Sequence, residues 1–229
     1  MSELEDLLAL EERKFRKVTL WFHSEKTKLY GEVWMPTHVE DPLKRIVIMI
    51  HPHPKEGGNM KNLVVASIAE SLIQKGISTF LFNLRGAKPS KGKPGAGSED
   101  IKDVVNAINR VKTLGFEKIG LCGYSFGATI ALAASTETSV NALAVISPKR
   151  SAKEITLEVD EECSKICLPT MLICGSEESK EDLSCIKEIY SKIPSTNKVL
   201  DVIEGADHEF YGFTGKLCDK VVNFFETHL

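Results

Sequence analysis

The sequence has no large excess of either charge: 29 Lys and Arg against 32 Asp and Glu leave a formal net charge of −3. A nucleic-acid-binding chain normally carries a basic excess or a basic stripe, so nucleic acid is not an expected partner. No apolar run approaches the roughly 18 residues that cross a bilayer. The run Ile46–Ile50 is only strand-sized, so no membrane association is expected. The opening MSELEDLLALEERKFRK mixes acids and bases and lacks a small-residue cleavage site. It does not read as a secretory signal, and the expected location is the cytoplasm. Cys163 and Cys167 are the only close pair among the six cysteines, and no further ligands stand at matching spacing. Reduced thiols, rather than disulfides or a metal site, are expected. There is no internal repeat and no long low-complexity stretch. A chain of 229 residues is ample for one buried core.

What is present is a regular alternation of patterns. Residues 3–14 place leucines at helical spacing, with acids early and bases late, which suits a short amphipathic helix. Lys17–Phe22 and Lys28–Met35 flank a polar turn and read as an antiparallel hairpin. Arg45–Ile50 is a continuous β-branched run, as expected of a strand buried on both faces. Helical periodicity follows at Asn62–Lys75, Glu99–Leu114, Phe126–Ser135, Glu181–Ile193 and Gly215–Thr227. Ser98 is the expected cap of the second of these. Strand-like runs fall between and around them, at Ile77–Leu84, Lys118–Cys122, Ala142–Ile146, Thr170–Cys174 and Lys198–Ile203. Alternation of this kind implies an α/β fold: a mostly parallel sheet of about eight strands, helices on both faces, and an antiparallel N-terminal hairpin at one edge. One domain over residues 1–229 is expected, with residues 1–16 as a helical extension. The irregular segment Pro148–Leu168 is too short for a large lid.

Ligands of an open parallel sheet bind beyond the carboxyl ends of its strands. The strand at 118–122 is followed by Gly123-Tyr124-Ser125-Phe126-Gly127. A serine between two glycines on a strand-to-helix turn is a nucleophile elbow, exposing the hydroxyl at the head of a helix. The last strand is followed by Gly205 and then His208, and the strand before it by Glu177 and Glu178. The order Ser125, acid, His208 matches a nucleophile, an orienting acid and a general base. Glu178 sits at the loop tip and is the preferred acid. Glu177 and Asp182 compete with it, since a run of acids also suits a solvated helix start. Asp207 is less suited to orient the imidazole of its own neighbour. The loop after the first buried strand reads His51-Pro52-His53-Pro54. Prolines have no N–H, so His53 is the available donor there, paired with the Phe126 N–H after the serine, to hold an oxyanion. His51 and His53 alternate without a third metal ligand, so no metal is assigned.

Together the HPHP…GG…M…N segment, the Asn83–Gly86 turn, GYSFG and GADH resemble the α/β-hydrolase superfamily. The likeness is to its small lidless branch related to dienelactone hydrolases and HPHP-type carboxylesterases, over about residues 17–229. The resemblance implies Ser125 as nucleophile, His208 as base, Glu178 where the family usually has Asp, and His53 and Phe126 at the oxyanion positions. Lys88 stands where the family commonly has a glycine. The activity implied is a cofactor-independent serine hydrolase acting on a small-molecule ester or thioester. A peptidase or amidase on the same residues, and a non-catalytic binding scaffold, are the alternatives. Lys88, Lys91 and Lys93 form either a solvated loop or a rim that attracts anionic substrates. Oligomeric state is not legible.

Overall fold

The computed structural model describes residues 15–149 and 159–229. Its centre is one eight-stranded sheet in the order β1-β2-β4-β3-β5-β6-β7-β8. The strands are β1 (Phe15–Ser24), β2 (Thr27–Pro36), β3 (Arg45–Ile50), β4 (Ser78–Phe82), β5 (Lys118–Tyr124), β6 (Ala142–Ile146), β7 (Thr170–Gly175) and β8 (Lys198–Ile203). β1 pairs antiparallel with β2, and β2 with β4; every other pairing is parallel. The helices are α1 (Leu63–Gln74), α2 (Ser98–Lys112), α3 (Phe126–Glu137), the short α4 (Val159–Cys163), α5 (Lys180–Lys192) and α6 (Thr214–His228).

Side chains of a strand point alternately to the two faces, so a strand covered on both sides must be apolar throughout. β3 obeys this rule. Ile46, Ile48 and Ile50 join the core under α2, α3 and α5. Val47 and Met49 join a second core under α1 and α6. The same division runs through β5, where Leu121 faces the first layer and Cys122 the second. Burying one such side chain contributes about 1.5–3 kcal/mol, so the two layers fix the sheet firmly. Parallel register then levels the strand ends: Ile50 pairs with Gly123, Tyr124 with Ile146, and Gly175 with Ile203. The loops that leave these ends therefore share one edge of the sheet.

Phe15 and Arg16, expected in a helical extension, already belong to β1 and pair with Pro36 and Met35. The expected helix at 3–14 lies outside the described residues. The expected cap Ser98 is instead the first residue of α2. Gly97 caps that helix at φ 111°, because the Asp100 carboxylate folds back to accept the Gly97 N–H at 3.1 Å. No disulfide joins the six cysteines among the described residues, and all but Cys167 are buried. No helix among the described residues is long and apolar enough to cross a membrane.

Candidate active site

Ser125 is the single residue between the end of β5 and the start of α3, at φ 57° and ψ −119°. A left-handed φ is strained for a residue with a Cβ, and such strain persists only where the surroundings enforce it. Here the enforcement is close packing. A Cβ on Gly123 would lie 2.2 Å from the Gly127 carbonyl oxygen, and one on Gly127 would lie 2.3 Å from the Ile50 carbonyl oxygen. Both neighbours are backbone and cannot swing aside, so both positions must be glycine. The Ser125 N–H donates to the Ile146 carbonyl at 2.8 Å, tying the turn to β6.

His208 reaches Ser125 from the loop after β8. Its Nε2 lies 3.1 Å from the Ser125 Oγ, and its Nδ1 lies 2.9 Å and 3.2 Å from the two Glu178 carboxylate oxygens. An ionised carboxylate only accepts, so Nδ1 of the neutral ring carries the proton and Nε2 is left to accept from the serine hydroxyl. Glu178 is buried. Burial pushes its carboxyl up, but the His208 and Ser147 donors and the His208 and Lys149 charges outweigh this, and its pKa falls below the ordinary value. The buried Ser147 hydroxyl, at a residue with φ 47°, meets no partner within strict hydrogen-bond geometry, yet it faces the carboxylate closely enough to favour ionisation.

The competing acids lie elsewhere. Exposed Glu177 accepts from the Ser176 hydroxyl at 3.1 Å. Asp182 is in the first turn of α5 and accepts from the Ser179 hydroxyl at 2.8 Å. Asp207 accepts the Tyr211 N–H at 3.2 Å. Of the four carboxylates, that of Glu178 is the one hydrogen-bonded to the His208 ring.

The His53–Phe126 pair sits beside the elbow, rings in edge-to-face contact with centroids 4.5 Å apart. The His53 Nδ1 accepts the Lys55 N–H at 3.1 Å. The main-chain N–H groups of His53 and Phe126 make no turn, loop or cap hydrogen bond among the described residues. His51 has a different task. It is fully buried, its Nδ1 lies 2.6 Å from the Pro52 carbonyl, and its Nε2 accepts the Leu84 N–H at 3.0 Å. Burial lowers its pKa to about 4, so it stays neutral and pins this loop to the end of β4. Asn83 adds a second pin, accepting the Met60 N–H at 2.8 Å.

A cleft of about 170 Å³ opens over Ser125 and His208, walled by Gly58, Tyr124, Lys149 and Glu209 among others. Lys149 and Tyr124 were not legible as cleft residues: one follows β6 with no accompanying motif, and the other occupies a variable position of G-x-S-x-G. Lys88 lines a separate cavity of about 280 Å³ with Tyr30, Met60 and Lys61. It is not among the residues walling the cleft over Ser125.

The family model described as alpha/beta hydrolase fold matches residues 46–166. An uncharacterized protein of Rickettsia prowazekii (strain Madrid E) is 24% identical over 212 residues, covering 89% of this chain and 86% of that protein. An alpha-beta serine hydrolase homologue from Coxiella burnetii superposes with a TM-score of 0.79 at 25% identity, covering 90% of this chain and 96% of its own. A serine hydrolase without lid from Xanthomonas campestris shares the fold at a TM-score of 0.76 and 21% identity, covering 94% and 95% of the two chains. With a matched segment that runs from β3 through the elbow to α4, the chain belongs to the alpha/beta hydrolase fold family.

Proposed function

We propose that this hydrolase is a serine esterase or thioesterase that cleaves a small acid from its alcohol or thiol through an acyl-enzyme. The observation that carries the reading is the unbroken path from Glu178 through His208 to Ser125, with the serine on a strained, glycine-flanked turn. In the reading, the Ser125 Oγ adds to the substrate carbonyl carbon while its proton passes to His208 Nε2. The carbonyl electrons move onto oxygen, and the His53 and Phe126 N–H groups hold that oxyanion. Collapse breaks the bond to the alcohol or thiol, which takes the proton from His208. Water then adds to the acyl carbon, gives a proton to Nε2, and the acid leaves as Ser125 recovers its own. Glu178, kept ionised by its donors, holds the imidazole in the required tautomer and stabilises the imidazolium.

The scheme uses protein groups and water only. The cleft, about 170 Å³, is smaller than the roughly 300–1,000 Å³ of pockets that hold drug-sized ligands, which favours a short acyl chain. We read the chain as one domain, a reading supported by the single sheet that its described strands form. Turnover of short p-nitrophenyl esters tests the reading. Hydrolysis that disappears in Ser125→Ala supports it. Equal rates in the wild type and that variant would remove Ser125 from the chemistry.

A further inference from the structure

The base of the site stands on a loop with few ties of its own. Between β8 and α6 the chain runs through turns, with left-handed φ at Gly205, Phe210 and Gly212. Its main-chain ties to the β7–α5 loop end early, and past them only the His208 ring reaches that loop, at Glu178. Ser176 N–H donates to Ile203 at 3.0 Å, Gly205 N–H to the Ser176 hydroxyl at 2.8 Å, and Glu177 N–H to Ala206 at 2.9 Å. Beyond Ala206 the loop bonds mainly to itself, with Phe210 and Tyr211 both donating to Asp207 at 3.2 Å.

The exception comes from the elbow. Tyr124, the last residue of β5, is buried to 2% exposure. Its phenol donates to the His208 carbonyl oxygen at 2.9 Å, with the Glu209 carboxylate as a second acceptor at 3.2 Å. Its ring lies under the imidazole, with centroids 5.6 Å apart, and meets Phe210 edge-on at 6.4 Å. No main-chain N–H among the described residues donates to the His208 carbonyl; the phenol does. Tyr124 and Ser125 are consecutive, so the same rigid turn presents the hydroxyl that the imidazole must reach and grips the backbone that carries the imidazole.

From this we infer that Tyr124 is a positioning residue: its hydroxyl fixes the His208 main chain over the elbow and so sets the distance between Nε2 and the Ser125 Oγ. The inference rests on the proposed serine-hydrolase reading and adds to it a residue outside the Ser, His and acid. Burial, reinforced by the Glu209, Glu178 and Asp207 charges, raises the phenol pKa, so the donor keeps its proton at working pH. Small displacements of a reacting pair cost rate steeply, up to about a hundredfold for an ångström.

Tyr124→Phe removes the hydroxyl and keeps the ring that walls the cleft. The expected result is a fall of about tenfold in kcat on p-nitrophenyl acetate with KM within about twofold of wild type. The rate of Ser125 labelling by a fluorophosphonate should fall in the same proportion, and Tm should stay within a few degrees. A second arm needs no turnover. The low-field proton resonance of the His208 Nδ1–H, present in the wild type, should broaden or vanish in Tyr124→Phe. Unchanged labelling and an unchanged resonance would overturn the inference, as would a raised KM at constant kcat, which would make Tyr124 a cleft wall only. A wild type that the fluorophosphonate does not label, but whose resonance is lost in Tyr124→Phe, would refute the hydrolase reading and leave the positioning contact standing.

Discussion

Replacing Glu178 by glutamine puts a neutral amide where the His208 Nδ1–H now meets a carboxylate at 2.9 Å. The imidazolium that forms during attack then loses its counter-charge, and kcat is expected to fall by about 100-fold or more. Asp182→Asn touches only the Ser179 cap of α5, so kcat should stay within about twofold. Steady-state kinetics on one short ester decides between the two acids, and the reverse ranking would move the assignment to Asp182. A separate titration sits in the first turn of α2, at Asp100. Asp100 is fully buried, and one of its carboxylate oxygens has no partner. Burial, opposed by the Gly97 N–H, raises its pKa to about 6. A raised carboxyl pKa stabilises the fold below the unfolded value, and that stability drains away as pH rises through the folded one. Asp100→Asn escapes the loss, so its Tm relative to wild type should climb between pH 4 and pH 6.5 and then level off. A flat difference would show that the carboxyl ionises normally. His51, neutral down to about pH 4, works in the opposite direction but is common to both proteins. The meeting of Ser125, His208 and Glu178 was legible because each follows a strand, in the chain order usual for this fold. Ser147 and Lys149 were not, because a single polar residue after β6 carries no spacing signal, and only the folded sheet brings that loop beside Glu178.

At the scale of elements, the elbow is a packing problem before it is a catalytic one. Gly127 lets α3 rest against the end of β3, where an added Cβ would lie 2.3 Å from the Ile50 carbonyl oxygen. Gly127→Ala must therefore push the helix off the strand. It is expected to cost about 1–3 kcal/mol of stability and to cut fluorophosphonate labelling by more than the lost folded fraction. Thermal melts run beside labelling rates would show this, and wild-type behaviour in both would mean that the turn relaxes freely. The strands of the parallel region were readable because burial on both faces leaves an unbroken apolar run, as in Ile46–Ile50. Their neighbours in the sheet were not, since the placement of β3 between β4 and β5 depends on crossovers that leave no local mark. The start of α2 was misread for a related reason. Ser98 has the chemistry of a cap, but the Asp100 carboxylate had already taken the Gly97 N–H, a choice made by the loop as a whole.

For the whole molecule, the single sheet gathers the loops after β3, β5, β6 and β8 around one cleft, and the loop after β7 brings Glu178 to His208. Lys149 walls the cleft, while Lys88 lines the neighbouring cavity with Lys61. Exposed charges act on encounter and are screened over about 8 Å at physiological salt. Lys88→Ala should therefore leave kcat/KM within about twofold for an anionic and a neutral ester alike, with parallel salt profiles. A selective loss for the anionic ester would make the loop lysines a steering rim. All of this depends on Ser125 being a nucleophile activated by His208. Intact-protein mass spectrometry after brief exposure to a fluorophosphonate, followed by peptide mapping, tests that dependence directly. One adduct on Ser125, absent in Ser125→Ala and slowed by orders of magnitude in His208→Ala, is the expected result. An unmodified Ser125, or labelling that ignores the loss of His208, would contradict it.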